Sequence, residues 1–199
     1  ASIKICGLKR LEDIEIVNKY RPDYMGFVFA DTKRKVSHEL ARQLKDKLDP
    51  EIISVGVFVD APKEEITELF ENGTIEMAQL HGLESEEYIK DLKAMTDNRL
   101  IVIKAIEMSQ DTDLLKYDSS NADYLLLDSG KGSGKTFDWR LIRKDLKKDF
   151  FLAGGLNKDN ITQAIEEFEP YAVDLSSSLE VNGFKNEDKI KEIMEIINE

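Results

Sequence analysis

Cysteine is nearly absent from this chain: Cys6 stands alone, so no intrachain disulfide can form and a secreted disulfide scaffold is excluded. Histidine is almost as scarce. His38 and His81 fit no metal-ligand spacing, and no metal or other cofactor is expected. Four prolines and 11 glycines among 199 residues make neither a collagen-like repeat nor a low-complexity array. No apolar run reaches eighteen residues and no apolar leader is present, so the reading is a cytoplasmic chain without signal peptide or membrane span. Positive charge is in deficit, 28 Lys and Arg against 40 Asp and Glu, and the net −12 repels nucleic acid and anionic lipid. A small anionic substrate remains compatible, because backbone N–H groups and one or two basic side chains act locally where a distant field is screened.

What is present is a rhythm. Eight apolar, β-rich runs fall at 3–6, 24–29, 54–59, 77–80, 100–106, 124–127, 150–153 and 172–175. Most lack period-two alternation, as strands buried on both faces do. Between them, 11–20, 37–48, 63–71, 85–95, 139–147, 159–168 and 187–197 carry helical periodicity with charged outer faces, and Ser37, Ser85 and Asn157 are placed to cap three of them. Strand and helix alternating over 1–199 predict one α/β domain, a single (β/α)8 TIM barrel of the phosphate-binding type. An open doubly wound sheet is the alternative, but it usually holds about five or six strands and gathers its polar residues at one switch point. The stretch 109–122 is short and polar, so the fifth helix is expected to be reduced or missing.

A barrel of this kind works at the carboxyl ends of its strands. Cys6 ends the first run, where a thiol is either a nucleophile or general base, or else an inert buried cysteine. Asp128 ends the sixth run; there a carboxyl group either has its pKa raised enough to donate a proton or simply bonds the glycine-rich loop that follows. Raising an aspartate from about 3.9 to about 7 requires destabilising its carboxylate by about 4 kcal/mol. Gly154-Gly155 and Ser176-Ser177 follow the seventh and eighth runs, the two loops that most often hold phosphate in barrels; each pair alone is an everyday turn, and together they point to a phosphorylated substrate. Arg34, in the basic stretch 32–35, offers a bidentate grip for a carboxylate or is part of a solvated loop. His81 follows the fourth run and reads as a rim residue behind the reacting groups, and Asp174 lies at the end of the eighth run. The segment 130–135 is not a nucleotide-binding P-loop, since the first glycine of that motif would fall at Ser129; a lid over the site is the better reading.

The motifs Lys-Ile-Cys-Gly-Leu at 4–8, Gly-Phe-Val-Phe at 26–29, Gln-Leu-His-Gly at 79–82, Leu-Asp-Ser at 127–129, Ala-Gly-Gly-Leu at 153–156 and Val-Asp-Leu-Ser-Ser at 173–177, in this order, resemble the phosphoribosylanthranilate isomerase family. The likeness runs from residue 3 to about residue 185. It departs at 32–34, where the family often has Ser-Pro-Arg, and at Ser178, where glycine is usual. The resemblance implies a cofactor-free Amadori rearrangement in tryptophan biosynthesis, from N-(5-phosphoribosyl)anthranilate to 1-(2-carboxyphenylamino)-1-deoxyribulose 5-phosphate. It implies Cys6 as general base, Asp128 as general acid, Arg34 at the anthranilate carboxylate, Gly154, Gly155, Ser176 and Ser177 at the phosphate, and His81 and Asp174 beside the substrate. The partner is then a small phosphorylated molecule, with no nucleic acid and no membrane, and the chain is a monomer or homodimer. Another phosphosugar isomerase, or a non-catalytic metabolite-binding barrel, is the competing reading.

Overall fold

The structure, a computed structural model, describes residues 1–130 and 134–199. Eight parallel strands close into a barrel in chain order: β1 (Ser2–Cys6), β2 (Tyr24–Val28), β3 (Ile53–Phe58), β4 (Met77–Leu80), β5 (Ile101–Glu107), β6 (Tyr124–Asp128), β7 (Phe150–Leu152) and β8 (Ala172–Leu175). Closure comes from β1 pairing with β8, with Lys4 opposite Asp174. This excludes the open sheet. The expected runs lie within one or two residues of the strands, because each strand is covered on both sides.

Among the described residues six helices form the outer ring: α1 (Leu11–Tyr20), α2 (His38–Lys47), α3 (Lys63–Glu71), α4 (Glu86–Met95), α5 (Ile161–Phe168) and α6 (Glu187–Ile197). All six bury a pair three residues apart, such as Ile14 with Val17, Ile66 with Leu69 and Ile190 with Ile193. Each such aliphatic side chain taken from water contributes about 1.5–3 kcal/mol. Ser37 and Ser85 cap α2 and α4 by accepting from Leu40 N and Tyr88 N. The Asn157 side chain acts one turn earlier than a cap of α5, accepting from Asp159 N and Asn160 N.

The fifth helix is indeed reduced, to a 3-10 turn at Leu114–Ser119. The expected helix at 139–147 is overturned: only a 3-10 turn, Trp139–Leu141, forms there. The cause is tertiary. The carboxylate of Asp118, on the preceding 3-10 turn, accepts from Lys147 N and Lys148 N, and Ile142 is buried without a helix beneath it. After β8 the chain adds a small antiparallel hairpin, β9 (Glu180–Val181) with β10 (Phe184–Lys185). Among the described residues no helix is long and apolar enough to cross a membrane.

The barrel interior has two unlike ends. At the amino ends of the strands Tyr24, Tyr124, Phe151 and Tyr171 pack ring on ring, with centroids 4.8 to 5.7 Å apart, and Tyr24 Oη lies 2.8 Å from Tyr171 Oη. At the carboxyl ends the interior holds Lys4, Cys6, Gln79, Asp128 and Asp174, with Val28 and Val57 packed against Cys6.

Candidate active site

Side chains alternate across a strand, so residues two apart share the barrel interior. Lys4 and Cys6 on β1 therefore point inward together, and strand pairing sets Asp174 of β8 beside Lys4. Lys4 is fully buried and has three N–H groups to satisfy. It donates to Gln79 Oε1 at 2.8 Å and to Asp174 Oδ2 at 3.1 Å, and its charge acts on the Cys6 side chain two residues along the same strand face. Burial pulls the pKa of Lys4 down, but Asp174 and Cys6 hold it above the ordinary lysine value. Burial pushes the Cys6 thiol up, opposed by Lys4. Burial also raises Asp174 against the pull of Lys4, and the nearby Asp128 carboxylate adds to the rise. Gly26 makes room for the thiol: a Cβ there would lie 2.6 Å from Cys6 Sγ.

From Lys4 the contacts continue to the opposite wall. Gln79 Nε2 meets His81 Nδ1 at 3.0 Å, His81 Nε2 meets Asp128 Oδ2 at 3.3 Å, and Ser129 N donates to Asp128 Oδ1 at 2.9 Å. Lys4 and Asp128 are thus ends of one hydrogen-bonded path through the mouth, and Cys6 lies beside Lys4 on the same face of β1. Asp174 Oδ1 is buried with no hydrogen-bond partner among the described residues, an acceptor left over once Lys4 has taken Oδ2. Behind His81, Lys104 donates to the carbonyls of Gly82 and Glu84, and Glu84 accepts from Asp60 N and Gly82 N, which holds the loop after β4.

Arg34 is neither solvated nor unpaired. Its Nε and Nη2 donate to Glu180 at 2.9 and 2.8 Å, and Lys185 Nζ meets the same carboxylate at 2.7 Å. Burial alone would raise Glu180, but Arg34 and Lys185 pull it down to about 2. Lys185 also donates to Ser176 O, and Ser176 Oγ donates to Cys6 O at 3.0 Å, which ties the loop after β8 to the end of β1. Ser177 begins the short 3-10 turn beyond.

Gly154 and Gly155 both have positive φ, 87° and 69°. A Cβ on Gly154 would come within 3.0 Å of Asp128 Oδ1, and one on Gly155 would run into the 135–136 backbone at 2.4 Å. The loop after β6 therefore rests on the loop after β7. Half of the suspected lid 130–135, residues 131–133, lies outside the described residues. Among the described residues no group of three or more His, Cys, Asp or Glu is arranged to hold a metal ion.

Sequence reasoning placed Gln79 at a strand end without a role and missed Lys4, Glu180 and Lys185 as site residues. Lys4 and Gln79 did carry a signal, a polar side chain inside a strand otherwise apolar on both faces. Glu180 and Lys185 carried none, since they lie past the last expected strand on a hairpin with no clear sequence mark.

The family model described as N-(5'phosphoribosyl)anthranilate (PRA) isomerase matches residues 3–196. This chain belongs to that family. The PRA isomerase of Endomicrobium trichonymphae is 46% identical over 200 residues, spanning 98% of this chain and 97% of that one. A crystal structure of phosphoribosyl anthranilate isomerase from Thermus thermophilus superposes with a TM-score of 0.90 at 30% identity, covering 100% of this chain and 98% of its own. Another PRA isomerase structure, in complex with reduced 1-(o-carboxyphenylamino)-1-deoxyribulose 5-phosphate, gives 0.84 at 35% identity with the same coverage. The expectations of a TIM barrel and of an isomerase of tryptophan biosynthesis are borne out.

Proposed function

We propose that Cys6 and Asp128 carry out the Amadori rearrangement of N-(5'-phosphoribosyl)anthranilate as general base and general acid. Asp128 gives its proton to the furanose ring oxygen, the ring opens, and a Schiff base forms between the first sugar carbon and the anthranilate nitrogen. Cys6, as thiolate, then takes the proton from the second sugar carbon. The enolamine that results relaxes to the ketone of 1-(2-carboxyphenylamino)-1-deoxyribulose 5-phosphate. The supporting observation is the path Lys4, Gln79, His81, Asp128, which crosses the mouth from the Lys4 charge that acts on Cys6 to the proposed acid.

The substrate's ends are assigned by what is left to bind them. Two N–H groups of Arg34 go to Glu180, and the Nη1 donors are assigned to the anthranilate carboxylate. Asp174 Oδ1 is assigned a sugar hydroxyl or the amine. The phosphate is assigned to the loops at Gly154, Gly155, Ser176 and Ser177, with His81 beside the acid. One barrel spanning 1–199 carries the whole activity in the cytoplasm, as a monomer or homodimer, without nucleic acid as partner.

A fluorescence assay with freshly generated substrate tests the roles. Cys6→Ser and Asp128→Asn each lose at least about a hundredfold in turnover. Near-normal activity in either variant removes that residue from the mechanism.

A further inference from the structure

We propose that Lys4, acting through Gln79, fixes the tautomer of His81 so that Nε2 donates to Asp128 and cannot take the proton that Asp128 delivers. The inference rests on the acid role assigned to Asp128. It starts from a donor that cannot accept. An ammonium only donates, so the Gln79 atom 2.8 Å from Lys4 Nζ is the carbonyl oxygen, and the amide NH2 must face the other way. That NH2 lies 3.0 Å from His81 Nδ1, which must then be the acceptor. The neutral ring consequently holds its hydrogen on Nε2 and donates it to Asp128 Oδ2, 3.3 Å away. With the hydrogen on Nδ1 instead, two donors would face each other across 3.0 Å.

The other carboxyl oxygen, Oδ1, accepts from Ser129 N and borders Gly154 in the loop after β7. In the opposite tautomer the Nε2 lone pair would itself capture the Asp128 proton and hold it away from the substrate. Lys4 is buried completely and is held on its other side by Asp174, which keeps the ammonium against Gln79. Lys4 and Gln79 are positioning residues. Lys4 holds Gln79 and Asp174, and Gln79 holds His81.

The chain's two histidines make the test direct: 15N NMR of the imidazoles, with His38→Gln to assign the exposed ring. Wild type is expected to show His81 hydrogen on Nε2. Gln79→Glu replaces the donor facing Nδ1 by an acceptor, so hydrogen moves to Nδ1, and kcat falls about a hundredfold while KM changes less than about twofold. Lys4→Met frees the amide to turn over and yields a mixture of tautomers; should it fail to fold, Gln79→Glu still decides. Hydrogen on Nδ1 in wild type, or an unmoved tautomer in Gln79→Glu, overturns the relay. The tautomer is read without turnover, so an active Asp128→Asn would sink the acid role alone, and a wrong wild-type tautomer would sink the relay alone.

Discussion

The two ends of the barrel interior are built from opposite materials. At the amino ends of the strands four aromatic rings fill the interior, and only their hydroxyls are polar. Some strand residues further along, the same cylinder holds an ammonium, two carboxyl groups, an amide and a thiol, all buried or nearly so. Rings gain free energy by leaving water, whereas each buried charge loses hydration and recovers it only through its partners. The floor therefore stabilises the fold, and the mouth spends part of that stability on groups arranged for proton transfer.

Removing a floor ring is the severest way to break this division. Phe151 is fully buried between Tyr24, Tyr124 and Tyr171, and Phe151→Ala is expected to cost about 3–5 kcal/mol of unfolding free energy. Chemical denaturation measures the loss, and KM of the folded fraction at low temperature should stay unchanged. Asp128→Asn is the mirror experiment: turnover collapses while unfolding free energy stays within about 1 kcal/mol, because the amide keeps the shape and still accepts from Ser129 N. If Phe151→Ala were folded but inactive, floor and mouth would not be separable.

Glu180→Gln asks whether the rim of the mouth contributes stability at all. The Glu180 carboxylate, with its pKa pulled from 4.5 to about 2, is stabilised in the folded state. A depressed carboxyl pKa gives stability that is present above the unfolded value and is lost as pH falls through the folded one. The wild type should exceed Glu180→Gln by about 2–3 kcal/mol at pH 7, and the gap should shrink between about pH 4.5 and 2. A gap independent of pH would mean that the variant's loss is one of packing.

The same contrast explains what the sequence made readable. Strands at the floor and wall announced themselves, since Leu125, Leu126 and Leu127 are apolar whichever face they meet. Cys6, Asp128 and Asp174 were recoverable because a strand's end fixes where its last side chains go. The partner of Arg34 was not, because Glu180 is 146 residues away and reaches it only through the hairpin after β8. The failed helix at 139–147 has the same origin. Its periodicity is real, but the carboxylate that holds the segment as loop belongs to Asp118, which no local pattern reveals.

The smallest effect tests the only hydroxyl-to-hydroxyl bond described between floor rings. Tyr24 Oη and Tyr171 Oη are 2.8 Å apart, so Tyr171→Phe removes one partner and should cost about 1 kcal/mol at pH 7 with turnover unchanged. Alkali supplies the finer reading. Burial, then the Tyr171 hydroxyl, raises the pKa of Tyr24 above the ordinary phenol value, and burial lifts Tyr124 to about 12. A phenol whose folded pKa is raised contributes stability that is complete below its unfolded value of about 10 and is lost as pH climbs toward the folded one. Wild type should therefore lose stability between about pH 10 and 12, and Tyr24→Phe should lose less over that interval because one resisting phenol is gone. Equal alkaline slopes for the two proteins would mean that Tyr24 ionises as freely in the barrel as in the unfolded chain, and the floor would then not be the dry end of the molecule.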